Sequence, residues 1–528
     1  MSDLVYLRPD VKLEPLVARW YAWSHLISPA QLALHLRERL LPLLASFMAS
    51  PGPHLAAGRD PGLYGGPFVS LTEADAEAVA SLHRDTVDRC RGLLSLAADL
   101  RQLAVRLQEQ ARGHALHEFY AQLPPSLQGL VELVYDTHHH ADLRLFEALL
   151  MQEYPTQELQ ELMLHRMPEG ERPFFMSTPR VPTPDSLFLE LDFADDRIDA
   201  LAAMRCRPSS LADIARRLRI RPAQMPLFER LFTPEAPQVR GGQPPAGDQL
   251  RMRFFGHACV LLETADVSVL LDPFVATETA QDGRLTLHDL PDHIDHVVLT
   301  HSHHDHFSVE MLLQLRHRIG SIIVPGNHRG ALADPSMKLA LQSLGFERIQ
   351  VLEPFETVAL PEGSIQSLPF TGEHADLDVA SKHAIAVTLK SHRSMFLVDS
   401  DGRDPVLYQR LVQRLGPVDT LFIGMECVGA PLNWLYEPLL TTPVSHEDNE
   451  SRRLSGSDCE RAWAIINALG PQQVFVYAMG QDPWMKYVMG LEYAPGSLQL
   501  VESDRLLERC RGRGLQATRL VSGYEGIL

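Results

Sequence analysis

The chain has six cysteines in 528 residues, and no two of them form a Cys-x-x-Cys pair. Their scatter (Cys90, Cys206, Cys259, Cys427, Cys459 and Cys510) argues against a zinc knuckle or a disulfide framework and predicts reduced, buried thiols. No run approaches the roughly 20 apolar residues that span a bilayer, so no membrane helix is expected. The opening residues, Met1 to Arg8, lack the basic flank and apolar core of a signal peptide, and a cytoplasmic protein is expected. Basic charge is also scarce: 48 Lys and Arg face 67 Asp and Glu, a formal net charge of −19. That balance argues against a general nucleic-acid binder, which needs cationic surface against phosphates. It leaves room for a local basic patch facing an acidic protein partner.

What is present is ordinary globular material, 45% apolar and 22% charged, in a chain too long for one hydrophobic core. Residues 1–232 are expected to form a mostly helical N-terminal domain. Pro29–Ser50 has leucines at helical spacing, and Thr72 opens a second helix with Glu73, Asp75 and Glu77 in its first turns, running to about Leu116. Ser186–Phe193 alternates as a strand does. Arg205–Phe232 reads as a small helical triad with Ser210 as a cap, better suited to packing or protein docking than to reading DNA. His138-His139-His140 reads as a solvated helix start, because adjacent histidines on a helix diverge. Residues 233–248 (TPEAPQVRGGQPPAGD) form a Pro/Gly-rich linker. From residue 249 to 528 the pattern turns to short strands and then to alternating strands and helices, which suits two sheets covered by helices.

The chemistry concentrates in Leu299-Thr300-His301-Ser302-His303-His304-Asp305-His306, which follows an apolar strand and precedes a helix starting near Ser308. Imidazoles at i and i+2 of a strand end can chelate one metal, and the Asp and His at i+4 and i+5 turn towards a second. Three of these side chains and the aspartate would be costly in a core unless metal or hydrogen bonds satisfied them. His304 is expected to point away from the metals.

On His301, His303, Asp305 and His306 the sequence resembles the metallo-β-lactamase superfamily. The resemblance implies an α+β protein whose C-terminal domain is an αββα sandwich, preceded by a mostly helical α/β N-terminal domain. It matches Asp272, in Leu270-Leu271-Asp272-Pro273, to an aspartate that orients a histidine ligand. His257, in a Gly-His turn, sits near the site or is a core histidine. Asp399 matches the bridging aspartate. Two positions depart from the hydrolases of the superfamily. Glu373 stands where they have a histidine. Their last histidine has no counterpart near Leu454–Ser457; His446 lies in a polar loop, and Glu426 ends another apolar strand instead. The implied ligands are His301, His303, Asp305, His306, Glu373, Asp399 and Glu426. A set so rich in carboxylates suits iron better than zinc.

This pattern resembles the di-iron β-hydroxylases of the chloramphenicol-pathway type. The resemblance covers the whole architecture. It implies two iron ions, dioxygen as co-substrate, an external electron donor, and an amino acid bound as a thioester on a nonribosomal peptide synthetase carrier domain. It assigns Glu373 and Glu426 to the catalytic centre, with Glu426 moving when substrate docks in a groove between the domains. It implies a homodimer in which the N-terminal domain also helps to dock the carrier. The tail from Pro483 to Tyr493, rich in aromatic and Met residues, is a tunnel lining, a core segment or a lid, with Met479 and Trp484 as candidates for a tunnel wall. The rival reading is a dinuclear zinc hydrolase of an ester, lactone or phosphodiester. A third is a docking or scaffold protein with a decayed site.

Overall fold

A computed structural model describes residues 4–277 and 283–528; Met1–Asp3 of the opening stretch read above lie outside them. The C-terminal part is built on two seven-stranded sheets. The first runs, in spatial order, Ile349–Leu352, Ile319–Pro325, Ile294–Val298, Ser268–Leu271, Cys259–Glu263, Arg251–Gly256 and Tyr524–Ile527. The second runs Thr357–Leu360, Gly363–Leu368, Ala384–Leu389, His392–Phe396, Thr420–Gly424, Gln473–Tyr477 and Gln516–Arg519. The sheets pack face to face. Because strand side chains alternate, Leu262, Val269, Leu271 and Val298 join Val387, Phe396 and Phe422 in the core between them. Their neighbours Leu261, Leu270 and Val297 face the opposite side. Each such aliphatic side chain contributes roughly 1.5–3 kcal/mol when fully buried.

Helices Pro405–Leu415, Cys459–Leu469 and Leu498–Gly512 flank the second sheet, and all three belong to the same apolar cluster as its strands. Helix Val309–Leu315 covers the first, together with much of the N-terminal region, in one continuous apolar core. This is the expected αββα sandwich. The last strand, Tyr524–Ile527, pairs antiparallel with Arg251–Gly256, so the C-terminus closes back on the start of the sandwich.

The N-terminal region carries the expected helices. Pro29–His35 continues through a π turn at Leu36–Leu40 into Leu41–Ala49. Thr72 and Asp75 form a capping box ahead of helix Ala76–Arg89. A second helix, Arg91–Gln110, ends short of the expected Leu116. Ser210 accepts from Asp213 N at the start of helix Leu211–Arg217. The region also holds a four-stranded sheet ordered Trp20–Tyr21, Val11–Val17, Gln160–Arg166, Leu187–Glu190. His138–His140 are corrected: they form the exposed turn of the hairpin Val131–Tyr135/Ala141–Leu145, not a helix start. Asp136 builds that turn by accepting from the His138 and His140 backbone amides. All six cysteines are free thiols. Among the described residues, no helix is long and apolar enough to cross a membrane.

Candidate metal centre

Five chain reversals at strand ends deliver the polar side chains. The segment after Ile294–Val298 carries His301 to His306 and closes as a tight turn, with His306 N and Phe307 N both donating to His303 O. Ser308 then caps helix Val309–Leu315 by accepting from Met311 N. Asp272 follows Ser268–Leu271, Glu373 follows Gly363–Leu368, Asp399 follows His392–Phe396 and Glu426 follows Thr420–Gly424. Positive φ falls on Asp272 (39°), Glu373 (70°), Val398 (50°) and Cys427 (62°), each a donor or its direct neighbour. Left-handed backbone at a β-branched valine is held only where the surroundings over-determine it. The strain lies where side chains must turn inward together.

The donors meet closely. His303 Nδ1 lies 2.8 Å from Glu373 Oε1, and His306 Nε2 lies 3.0 Å from Asp399 Oδ2. His301 Nε2 is 3.6 Å from the same Asp399 oxygen. Three overlapping groups result: His301, His303 and Glu373; His301, His306 and Asp399; His257, Asp305 and His306. Glu426 joins none of these groups, but it faces the same cavity as Glu373.

The electrostatics describe a site made for cations. Burial, then the Asp399 and Glu426 charges, pushes the Glu373 carboxyl well above the ordinary range. Burial, then Asp399 and Asp305, does the same to Glu426. Burial and neighbouring imidazoles hold His301 and His303 far down, so both are neutral and ready to ligate. His301 Nε2, Glu373 Oε2 and Asp399 Oδ1 are buried without a hydrogen-bond partner. Each orphan costs roughly 1–3 kcal/mol. Two cations among these groups would satisfy all three, so the residues fit a dinuclear centre. Stripping the metal is therefore expected to lower the melting temperature. At free metal a hundredfold above Kd the loss is about 2.7 kcal/mol. Superimposable melts of the loaded and chelated protein would show that the buried carboxylates are tolerated unaided.

Asp272 accepts from Thr300 N (2.7 Å) and Thr300 Oγ1 (2.6 Å), and lies 2.9 Å from His306 Nδ1. With the ring proton on Nδ1 in that contact, His306 Nε2 would be left to face a metal. His257, left open in the sequence, comes to the site: its Nε2 is 3.0 Å from Asp305 Oδ2 and 3.2 Å from His306 Nε2. His304 turns the other way, its Nε2 on Val488 O at 3.2 Å and its ring 4.6 Å from Phe175. His446 is exposed at the start of helix His446–Ser451 and belongs to none of the three groups. A cavity of about 190 Å³ opens beside His303, Glu373 and Glu426. Its outer wall is Trp434, Leu454, Met489, Leu491 and Tyr493. Met479 and Trp484 are corrected: both are core residues, and Trp484 packs against Gly256 and Arg284. All residues lining this cavity fall between His303 and Gln499; a second pocket that shares Trp434 is lined by Arg39, Phe174 and Met176 of the N-terminal region and by Glu437. Sequence reasoning missed Tyr436, whose buried hydroxyl touches two site histidines; a tyrosine in a short apolar helix gives no signal beyond core packing.

Residues 6–237 match the diiron non-heme beta-hydroxylase N-terminal domain, and residues 251–402 match the beta-lactamase superfamily domain. The 4-amino-L-phenylalanyl-[CmlP-peptidyl-carrier-protein] 3-hydroxylase of Streptomyces venezuelae is 33% identical over 522 residues, 97% of this chain and 98% of that one. The chain belongs to the diiron non-haem β-hydroxylases. The crystal structure of one β-hydroxylase of this family, CmlA from Streptomyces venezuelae, superposes with a TM-score of 0.92 at 32% identity, covering 99% of both chains. A metal-dependent hydrolase of Christiangramia forsetii is 25% identical over only 153 residues, 27% of this chain and 66% of that protein. The likeness to hydrolases thus stops within the lactamase-type part, whereas the β-hydroxylase likeness runs the full length. As a diiron β-hydroxylase the protein is a non-haem oxygenase, and its cofactor is two iron ions.

Proposed function

We propose that this enzyme hydroxylates the β-carbon of an amino acid held as a thioester on a nonribosomal peptide synthetase carrier domain. The observation that carries the reading is the full-length likeness to a hydroxylase named for a carrier-bound aminoacyl substrate. Glu373, packed between His303 and Asp399 where zinc hydrolases have nitrogen, supports it. His301, His303 and Glu373 would hold one iron, and Asp305 and His306 the other. Asp399 would serve both, and Glu426, at the cavity edge, would be the carboxylate that moves. When bound, the irons supply the redox chemistry: dioxygen, two electrons from an external donor and two protons are consumed, one oxygen atom enters the C–H bond and the other leaves as water.

The chain's own part is placement and exclusion of water. Asp272 and Thr300 lock the His306 ring, and Trp434, Leu454, Met489 and Leu491 give the acyl group an apolar wall. The same proposal places the protein in the cytoplasm and divides it at 1–232, 233–248 and 249–528. It gives the N-terminal domain a homodimer contact and part of the carrier face, and it includes a separate electron-transfer partner. Metal analysis with an ultraviolet–visible spectrum tests it. Two irons per chain with an oxo-to-iron band, and a gain of one oxygen atom on an aminoacyl carrier under oxygen, are expected. Two zincs that resist replacement by ferrous iron, with turnover of esters or lactones, would overturn it.

A further inference from the structure

Tyr436 is fully buried, and its hydroxyl lies 3.0 Å from His303 Nε2 and 2.7 Å from His374 Nδ1. His303 turns its other nitrogen, Nδ1, to Glu373 and the donor group. With a metal on Nδ1, the neutral imidazole carries its proton on Nε2. That N–H then donates to the Tyr436 oxygen. The phenol keeps one proton of its own to donate, and the acceptor within reach is His374 Nδ1. His374 directly follows Glu373, is itself fully buried, and its Nε2 has no hydrogen-bond partner. One hydroxyl thus ties two parts of a single donor group: the His303 ring directly, and the strained turn bearing Glu373 through His374.

Tyr436 also ends the short helix Leu432–Tyr436, whose Trp434 and Leu435 line the cavity beside His303 and Glu373. Whatever fills the cavity therefore presses on the same helix turn that holds the ligands. We propose that Tyr436 is a positioning residue: it keeps His303 in the tautomer that presents Nδ1, holds the Glu373 turn through His374, and makes the cavity wall and the donor group move as one. This rests on the ligand assignment proposed above.

The test is Tyr436→Phe, which deletes the hydroxyl and keeps the ring, in the cobalt(II)-loaded full chain. Wild type should show a hyperfine-shifted imidazole N–H for His303 that exchanges slowly with solvent; in the variant that resonance should broaden away. Metal loss to a chelator should quicken about 10- to 100-fold, the usual effect of removing a partner behind a ligand. Hydroxylation should fall in kcat with little change in KM for the aminoacyl carrier. His374→Leu should reproduce these effects, and His374→Asn, which places an acceptor near Nδ1, should reverse most of them. An unchanged resonance and an unchanged rate of metal loss in Tyr436→Phe would overturn the inference alone. Absence of any shifted His303 N–H in the wild type would overturn the ligand assignment, and the inference with it. If Tyr436→Phe does not fold, the His374 pair decides, and indistinguishable Asn and Leu variants overturn it.

Discussion

Replacing Glu373 by alanine is expected to cost the enzyme one of its two metal ions and to abolish hydroxylation. Glu373 is the only carboxylate in the group it forms with His301 and His303. Its Oε1 lies 2.8 Å from His303 Nδ1, and its Oε2 is buried with no other partner. Alanine leaves two neutral imidazoles, both held neutral by burial. Two such nitrogens with only a share of the Asp399 carboxylate are a poor site for ferrous iron. Loss of a partner behind a ligand typically costs about 10–100-fold, so loss of a ligand itself should exceed that range. The fold should survive, because alanine meets the φ of 70° no worse than glutamate does. Circular dichroism melts, metal analysis and mass spectrometry of the aminoacyl carrier read the three quantities separately. Glu373→His is the sharper companion. It restores a nitrogen where the hydrolases of the superfamily have one, so it should shift the preference towards zinc and still fail to hydroxylate. A Glu373→Ala enzyme with full iron content and wild-type turnover would refute the assignment.

The centre was legible in the sequence to the extent that it is local. His301, His303, Asp305 and His306 lie within six residues, and their spacing alone aims them at two metals. Asp399 and Glu373 lie 98 and 72 residues from His301 in number, and only the resemblance of whole motifs marked them. The Pro483–Tyr493 segment was left open between tunnel lining, core and lid, and the residues it gives to the cavity wall are Met489, Leu491 and Tyr493. The reason is a reversal at Gly490, φ 68°, which sends the chain after helix Lys486–Met489 along the cavity while Trp484 stays in the core. Such a reversal has no periodicity to read. The N-terminal sheet was hidden for a different reason. Val11–Val17 is buried along its whole length although it contains Lys12, Glu14 and Pro15. A charged, proline-bearing strand reads as an exposed edge until its distant partners are known.

Those partners lead to the second large effect. Arg172→Met is expected to destabilise the fold by about 3–5 kcal/mol, the usual cost of breaking a buried ion pair on one side. Arg172 donates to Glu14 Oε1 at 2.6 Å and to Glu310 Oε2 at 2.6 Å, and its guanidinium lies 3.7 Å from the Tyr487 ring centre. Glu14 is on the N-terminal sheet; Glu310 is in the first turn of the helix that follows His306. The arginine therefore clamps the N-terminal region to the element that fixes the metal-binding turn. Glu14 would retain Arg180, and Glu310 would retain the Tyr21 and Tyr487 hydroxyls, but one negative charge would lack its counter-ion. Arg172→Met/Glu310→Gln, which neutralises that charge, should recover part of the loss. The acid limb of the stability profile gives an independent check. Burial alone would push the Glu14 carboxyl up; Arg172, Arg180 and His165 outweigh it and leave it well below the ordinary range. A carboxylate depressed in this way stabilises the fold above its unfolded pKa of about 4.3, and the contribution fades as pH falls through the folded value. Removing Arg172 should raise that folded value, so the variant should lose stability to acid at a higher pH than wild type. Urea midpoints measured from neutral pH down to the acid transition distinguish the cases: a constant gap between the two proteins would mean that Glu14 does not feel Arg172.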